Sequence, residues 1–330
     1  MAIVTAALIV AACSDDGGEP TPQTGDQTPT PSPASTATAI PAASPTFTPG
    51  ASDAELAGRI VFVSFRDGDQ ELYLMSADGS ELTNLTNDPA DDFDPDWSPN
   101  GEQIAFVSKR IREEVHIFVM DADGGNVRQI TVEASGGLAP RWSNGGDKIV
   151  FSRGAGLVVA DANGENQLVV LDAEAGDGEE PCRAGAFAGG WSPDDSKIVY
   201  YTANIVTQEG QLCTVTSDGS QEVEVLVSGP ANYNVEPVWS PDGRYVAYRI
   251  IDDGVHDISI LDIETGEITN VTSDEQIDVE PDWSPDGEWI VFASIRDGNN
   301  FDIYVMRRDG SDLLRLTSAG PKDAYPGWAP

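Results

Sequence analysis

The chain has little positive charge. Lysine occurs only at Lys109, Lys148, Lys197 and Lys322, and Lys and Arg together number 18 against 56 Asp and Glu, for a formal net charge of −38. A surface this acidic repels the phosphates of nucleic acid and the headgroups of anionic lipid. A nucleic-acid partner is therefore not expected; the charge would attract a cation or a basic partner, but solubility or a salty habitat is the leading explanation of it. Histidine is scarcer still, at His116 and His256 alone, and the body cysteines Cys182 and Cys213 have no CxxC spacing, which argues against a zinc site. No GxSxG elbow and no HExxH pattern occur. No catalytic residue, cofactor or metal is expected from the sequence. Long apolar runs are missing too: the run at 2–12, AIVTAALIVAA, is too short to span a bilayer.

That run has the length of the apolar region of a signal peptide. It closes on Val10-Ala11-Ala12-Cys13, which resembles the bacterial lipobox. The resemblance implies cleavage before Cys13 and a lipid on its thiol, so residues 1–13 are expected to be a lipoprotein-type signal. Residues 14–57 then hold eight prolines among Thr, Ser and Ala, with no basic residue and almost no large aliphatics. Such a stretch cannot bury a core and is expected to be a disordered tether. The remaining 58–330 carries the fold.

Tryptophan sets the period there. Trp97, Trp142, Trp191, Trp239, Trp283 and Trp328 fall 44 to 49 residues apart, and only Trp289 lies outside the series. Around the markers the text recurs as PDWSPNG, PRWSNGG, GGWSPDD, PVWSPDG and PDWSPDG, ending in PGWAP. Each marker is followed by a short alternating run rich in Ile, Val, Phe and Tyr, a strand signal. A third run follows and ends in turns such as Asp123-Gly124 and Asp309-Gly310, dipeptides suited to tight hairpins. A fourth run closes on Ile130-Thr131, Val271-Thr272 or Leu316-Thr317. Four short antiparallel strands in about 45 residues make one propeller blade. Six markers predict an all-β, six-bladed β-propeller. Because the repeats begin at Arg59 with a second strand, the C-terminal strand at 325–329 is expected to complete the first blade and remove the open edge.

The repeated PxWSPDG…IxFxS…RDG…IYxMxxDG…LT resembles the TolB-like propeller repeats of bacterial envelope proteins. The resemblance implies an extracytoplasmic, protein-binding scaffold. The Tol-system protein carries an α/β domain before its propeller, and here the Pro-rich tether stands in that place.

The most informative candidate positions lie three and one residues before each marker. Three before are Asp94, Ala139, Ala188, Glu236, Glu280 and Tyr325; one before are Asp96, Arg141, Gly190, Val238, Asp282 and Gly327. Strict alternation puts both on the strand face opposite the proline and tryptophan. On an innermost strand they would meet at one mouth of the central channel, with Asp94, Asp96, Glu236, Glu280 and Asp282 against Arg141. Two readings compete: a funnel for a cation, amine or basic peptide, or ion pairs with loop arginines such as Arg66 and Arg296. The Asp121-Ala122-Asp123-Gly124 turn looks like the start of a calcium loop, but the further ligands are missing and the hairpin reading explains it. Cys182 and Cys213 are expected to pair if the compartment is oxidising. Blade 4 has two long loops, at 172–186 and 204–211, where a rigid ring varies its binding surface. The leading expectation is a lipid-anchored, monomeric, extracytoplasmic scaffold for an unidentified protein or peptide. The alternative is an enzyme, or an enzyme's companion propeller, acting on sugars or peptides in the channel.

Overall fold

The computed structural model describes residues 56–330, except 133–135, 174–180, 184, 205–208, 229–232, 253, 274–275, 299 and 319. The apolar run, Cys13 and almost all of the tether lie outside the described residues.

Among the described residues, twenty-four strands form six antiparallel sheets of four. The innermost strands of blades 2 to 6 are Asp92–Trp97, Leu138–Trp142, Ala186–Trp191, Tyr233–Trp239 and Asp278–Trp283. Blade 1 takes its innermost strand, Asp323–Trp328, from the end of the chain. It pairs with Arg59–Ser64 through Ile60↔Trp328 and Ser64↔Asp323. The ring is therefore closed as the repeat offset requires.

The alternation within the strands has a different meaning from that of a half-solvated sheet. Arg59–Ser64 is buried at every position after Arg59. Ile60 and Phe62 pack into a cluster with Val279, Val291 and Ile303 of blade 6, whereas Val61 and Val63 join Phe93, Ile104 and Phe106 of blade 2. Period two thus selects between two neighbouring blades rather than between core and water. Six apolar clusters fill the six blade boundaries, one at each.

The closing Leu-Thr or Ile-Thr pair of a blade also has a mechanical explanation. Thr86, Thr131, Thr272 and Thr317 each accept, on Oγ1, the backbone N–H of Leu72, Ile117, Ile258 and Ile303 in the third strand, at 2.8–3.0 Å. Where the outer strand is only two or three residues long, this hydroxyl extends the ladder. The Asp-Gly turns carry a second constraint beyond hairpin geometry. A Cβ at Gly124 (φ 86°) would lie 2.5 Å from the Leu85 carbonyl oxygen of blade 1, so the turn seats directly on the preceding blade.

Candidate functional site

The innermost strands all run toward their tryptophans, and each is broken by a bulge. In blade 2 the ladder passes from Phe93↔Val107 to Asp96↔Ala105, so Asp94 and Pro95 together face one partner residue. Proline, which stands there in every blade but the fourth, where Gly189 takes its place, has no N–H to give to the ladder and suits the break. The residue before the proline adopts the left-handed conformation in five blades: Asp94 (55°), Ala139 (50°), Glu236 (55°), Glu280 (57°) and Tyr325 (51°). Strict alternation through this stretch is therefore replaced by a local twist that turns the side chain toward the adjoining blade.

The acidic candidates lie between neighbouring innermost strands and accept backbone N–H groups across the boundary. Trp142 N–H donates to Asp96 Oδ2 at 2.6 Å, and Trp328 N–H to Asp282 Oδ2 at 2.8 Å. Glu280 N–H donates to Glu236 Oε2 at 2.9 Å, and Tyr325 N–H to Glu280 Oε2 at 2.5 Å. Asp94 is held by Arg141 of blade 3 at 3.1 Å, and Glu236 by Arg249 of its own blade at 2.8 Å. Glu236 and Glu280 thus meet, while Asp94 is drawn to Arg141.

Their electrostatics follow from this crowding. Burial pushes the Asp96 carboxyl up to about 7, against the pull of Arg141 and with help from Asp282 and Asp94. Burial and then the Glu236 charge raise Glu280 to about 7. Burial raises Asp282 to about 6. Burial opposes the charge on Arg141, but Asp94 and Asp96 outweigh it and hold the guanidinium above its ordinary range.

At the end where the tryptophans stand, the channel opens into a cavity of about 250 Å³. All six marker tryptophans line it, with Pro99, Pro193, Pro241, Pro285 and Pro330 from the turns that follow them. Of the acidic candidates, only Asp96 and Asp282 line this cavity. Four of the indoles are fixed by carbonyl acceptors: Trp97 on Gly327, Trp191 on Arg141, Trp283 on Val238 and Trp328 on Ala57. Among the described residues no group of three His, Cys, Asp or Glu side chains is arranged to hold a metal ion.

The loop arginines pair with carboxylates that sequence reading passed over, five positions before the tryptophan. Arg66 binds Asp323 at 3.1 Å, Arg110 binds Asp92 at 2.8 Å and Arg296 binds Asp278 at 2.7 Å. In each case the guanidinium also donates to a serine hydroxyl (Ser64, Ser108 or Ser294) and lies over an aromatic pair, Phe62/Tyr73, Phe106/Phe118 or Phe292/Tyr304. The recurring S-x-R with an Asp five residues before the marker of the same blade was the available signal. Blades 3, 4 and 5 have Gly137, Ala186 and Asn234 at that position and lack the motif.

Cys182 and Cys213 are joined by a disulfide across 31 positions, with Cα atoms 6.0 Å apart, and both are buried. Both long loops of blade 4 lie partly outside the described residues. His116 and His256 are set apart, on the third strands of blades 2 and 5, and burial followed by Arg249 pushes His256 down to about 4.

The family described as the TolB beta propeller domain matches residues 34–229 and 156–330. The chain belongs to this family. Among solved structures, TolB from Acinetobacter baumannii is similar with a TM-score of 0.70 and 23% identity, over 84% of this chain and 67% of that one. A putative TolB from Agrobacterium tumefaciens gives 0.62 and 17%, over 83% of this chain and 92% of that one. Among curated proteins, the Tol-Pal system protein TolB of Geobacter sulfurreducens is 43% identical over 47 residues, 14% of this chain and 11% of that protein. The chain therefore matches about a tenth of that relative's length. What the TolB propellers share with it is the ring of blades.

Proposed function

We propose that this chain is a protein- or peptide-binding propeller that works outside the cytoplasm, held to a membrane by lipid on Cys13, with its partner seated on the tryptophan end of the channel. The observation that carries the reading is the axial cavity, walled by indole and proline carbon with two carboxylates on its lining. Indole and proline surface set among polar groups, here Asp96, Asp282, Ser143, Asn144 and Ser240, can fix and orient a bound segment. The acidic lining favours a basic segment of the partner, as does the net charge of −38. The apolar run ending at Cys13 and the Cys182–Cys213 disulfide both favour an oxidising, extracytoplasmic setting. Membership of a TolB family supports a scaffold over a catalyst.

Two measurements test it. Cys13→Ser should move the full chain from the detergent phase to the aqueous phase in a phase-separation assay, and equal partition of both forms would remove the anchor. A photo-crosslinking residue at Pro99 or Pro241 should give a discrete adduct in envelope extracts. The same residue at Leu82, just before the outer strand of blade 1, or at Ile268 on that of blade 5 should not. Adducts only from the outer positions would place the partner elsewhere.

A further inference from the structure

The cavity has more character than a general basic surface would need. Asp94, Asp96 and Asp282 surround a single cation, Arg141, and Arg141 makes its direct contact with Asp94. Asp96 and Asp282 both line the cavity, and the Asp282 charge adds to what raises Asp96, so with Arg141 held by Asp94 the lining has more negative than positive charge. A like-charged pair of this kind is relieved by one small cation. Besides indoles and prolines the lining carries Ser143, Asn144 and Ser240, and its two carboxylates suit an organic cation better than a calcium ion wanting six to eight oxygens.

A hydrogen-bond donor stands beside the acid pair. Trp142 lines the cavity, is 7% exposed, and its indole N–H has no acceptor among the described residues; half-buried Trp239 in blade 5 also lines the cavity with an indole N–H lacking an acceptor. A buried donor left unmatched costs free energy that an incoming acceptor recovers after a small rotation of the ring. The backbone of Trp142 is already bound to Asp96 at 2.6 Å, which puts acid and indole side by side. A ligand that satisfies both carries a cation and, next to it, an acceptor oxygen. A lysine side chain offers the first without the second.

We propose that the cavity binds the amino terminus of a peptide, with the α-ammonium on Asp96 and Asp282, the first carbonyl oxygen on the Trp142 indole, and the first side chain against the tryptophan and proline walls. This rests on the reading of the propeller as a peptide-binding scaffold and narrows it to one end of the peptide. The cavity is smaller than the ~300–1,000 Å³ of a site for a drug-sized ligand, which suits a terminal residue rather than a folded element.

The test uses the full chain, fluorescently labelled, on two arrays of random heptapeptides that differ only in acetylation of the amino terminus. Capture is expected on the free array, and acetylation should weaken it about ten- to a hundred-fold, the loss of one charge-assisted hydrogen bond. Asp96→Asn with Asp282→Asn should abolish the preference for the free array. Trp142→Phe, which keeps the apolar wall, should reduce it several-fold. Equal capture on both arrays, or capture on the acetylated array that follows internal Lys, would overturn the amino-terminal assignment and leave the scaffold reading standing. Capture on neither array would overturn both.

Discussion

Asp195 accepts three hydrogen bonds from the turn of the preceding blade: the backbone N–H of Asn144 at 2.7 Å, that of Gly145 at 2.8 Å, and Nδ2 of Asn144 at 3.0 Å. Each of the two residues is the exception at its repeat position. Asn144 stands where Pro99, Pro193, Pro241 and Pro285 stand in other blades, and Asp195 stands where Gly101, Gly146, Gly243 and Gly287 do. Asp195 takes the same left-handed backbone, at φ 57°, that glycine takes elsewhere. Loss of the proline frees an N–H, and loss of the next blade's glycine supplies the carboxylate that binds it.

This pairing should show as coupling. Asn144→Pro removes two of the three hydrogen bonds and Asp195→Gly removes all of them, and the double variant restores the majority turn on both sides. We expect the double variant to be more stable than the sum of the singles implies, by about 1 kcal/mol. Additive denaturation free energies would show that the contact carries no energy of its own.

The buried arginine stacks should be costly to break. Asp278 is fully buried and Arg296 nearly so. Asp278→Ala leaves the guanidinium without its carboxylate, an expected loss of about 3–5 kcal/mol. Urea denaturation measures it, and a loss below about 1 kcal/mol would mean that water replaces the partner.

The disulfide should matter to a lesser extent. Closing a loop of this length contributes about 3–4 kcal/mol in the chain-entropy model. Cys182→Ala with Cys213→Ala should therefore lower Tm by several degrees. The same shift should appear when the parent protein is melted with a dithiol reductant, and an unchanged melt under reduction would refute it.

Stability should fall as pH rises through the neutral range. Asp96, Glu280 and Asp282 bind protons more tightly in the folded chain than in the unfolded one, where carboxyl groups titrate near ~4. Their contribution is full below that value and is lost as pH climbs through about 6 to 7, opposite in sign to a salt-bridged carboxylate. Calorimetry from pH 5 to pH 8 should show a declining Tm. Asp96→Asn, Glu280→Gln and Asp282→Asn together should flatten the decline, and an unchanged slope would show that other groups set it.

The ring was legible because its period is carried by tryptophan, Asp-Gly turns and strand residues whose patterns are local. The site was legible only in part. Acidic residues at the repeat positions pointed to the channel, but the bulge at Asp94-Pro95 breaks the alternation used to place them, and a bulge depends on pairing that one strand alone does not reveal. The partners of Arg66, Arg110 and Arg296 were missed because Asp323, Asp92 and Asp278 look like loop acids until the chain has folded back on them. Asn144 and Asp195 were visible as two departures from the motif, but their meeting needed the ring.

The closure of blade 1 bears on how the protein is made. Trp328 donates its indole N–H to the carbonyl of Ala57, 271 positions away. The strand Arg59–Ser64 is among the first of the fold to leave the ribosome, and its inner neighbour Asp323–Trp328 is the last. Throughout synthesis the nascent propeller therefore carries an unpaired inner edge, the kind of surface that recruits other strands. The ring can close only when Asp323–Trp328 arrives, so the interval before that is when a holding chaperone would be of most use.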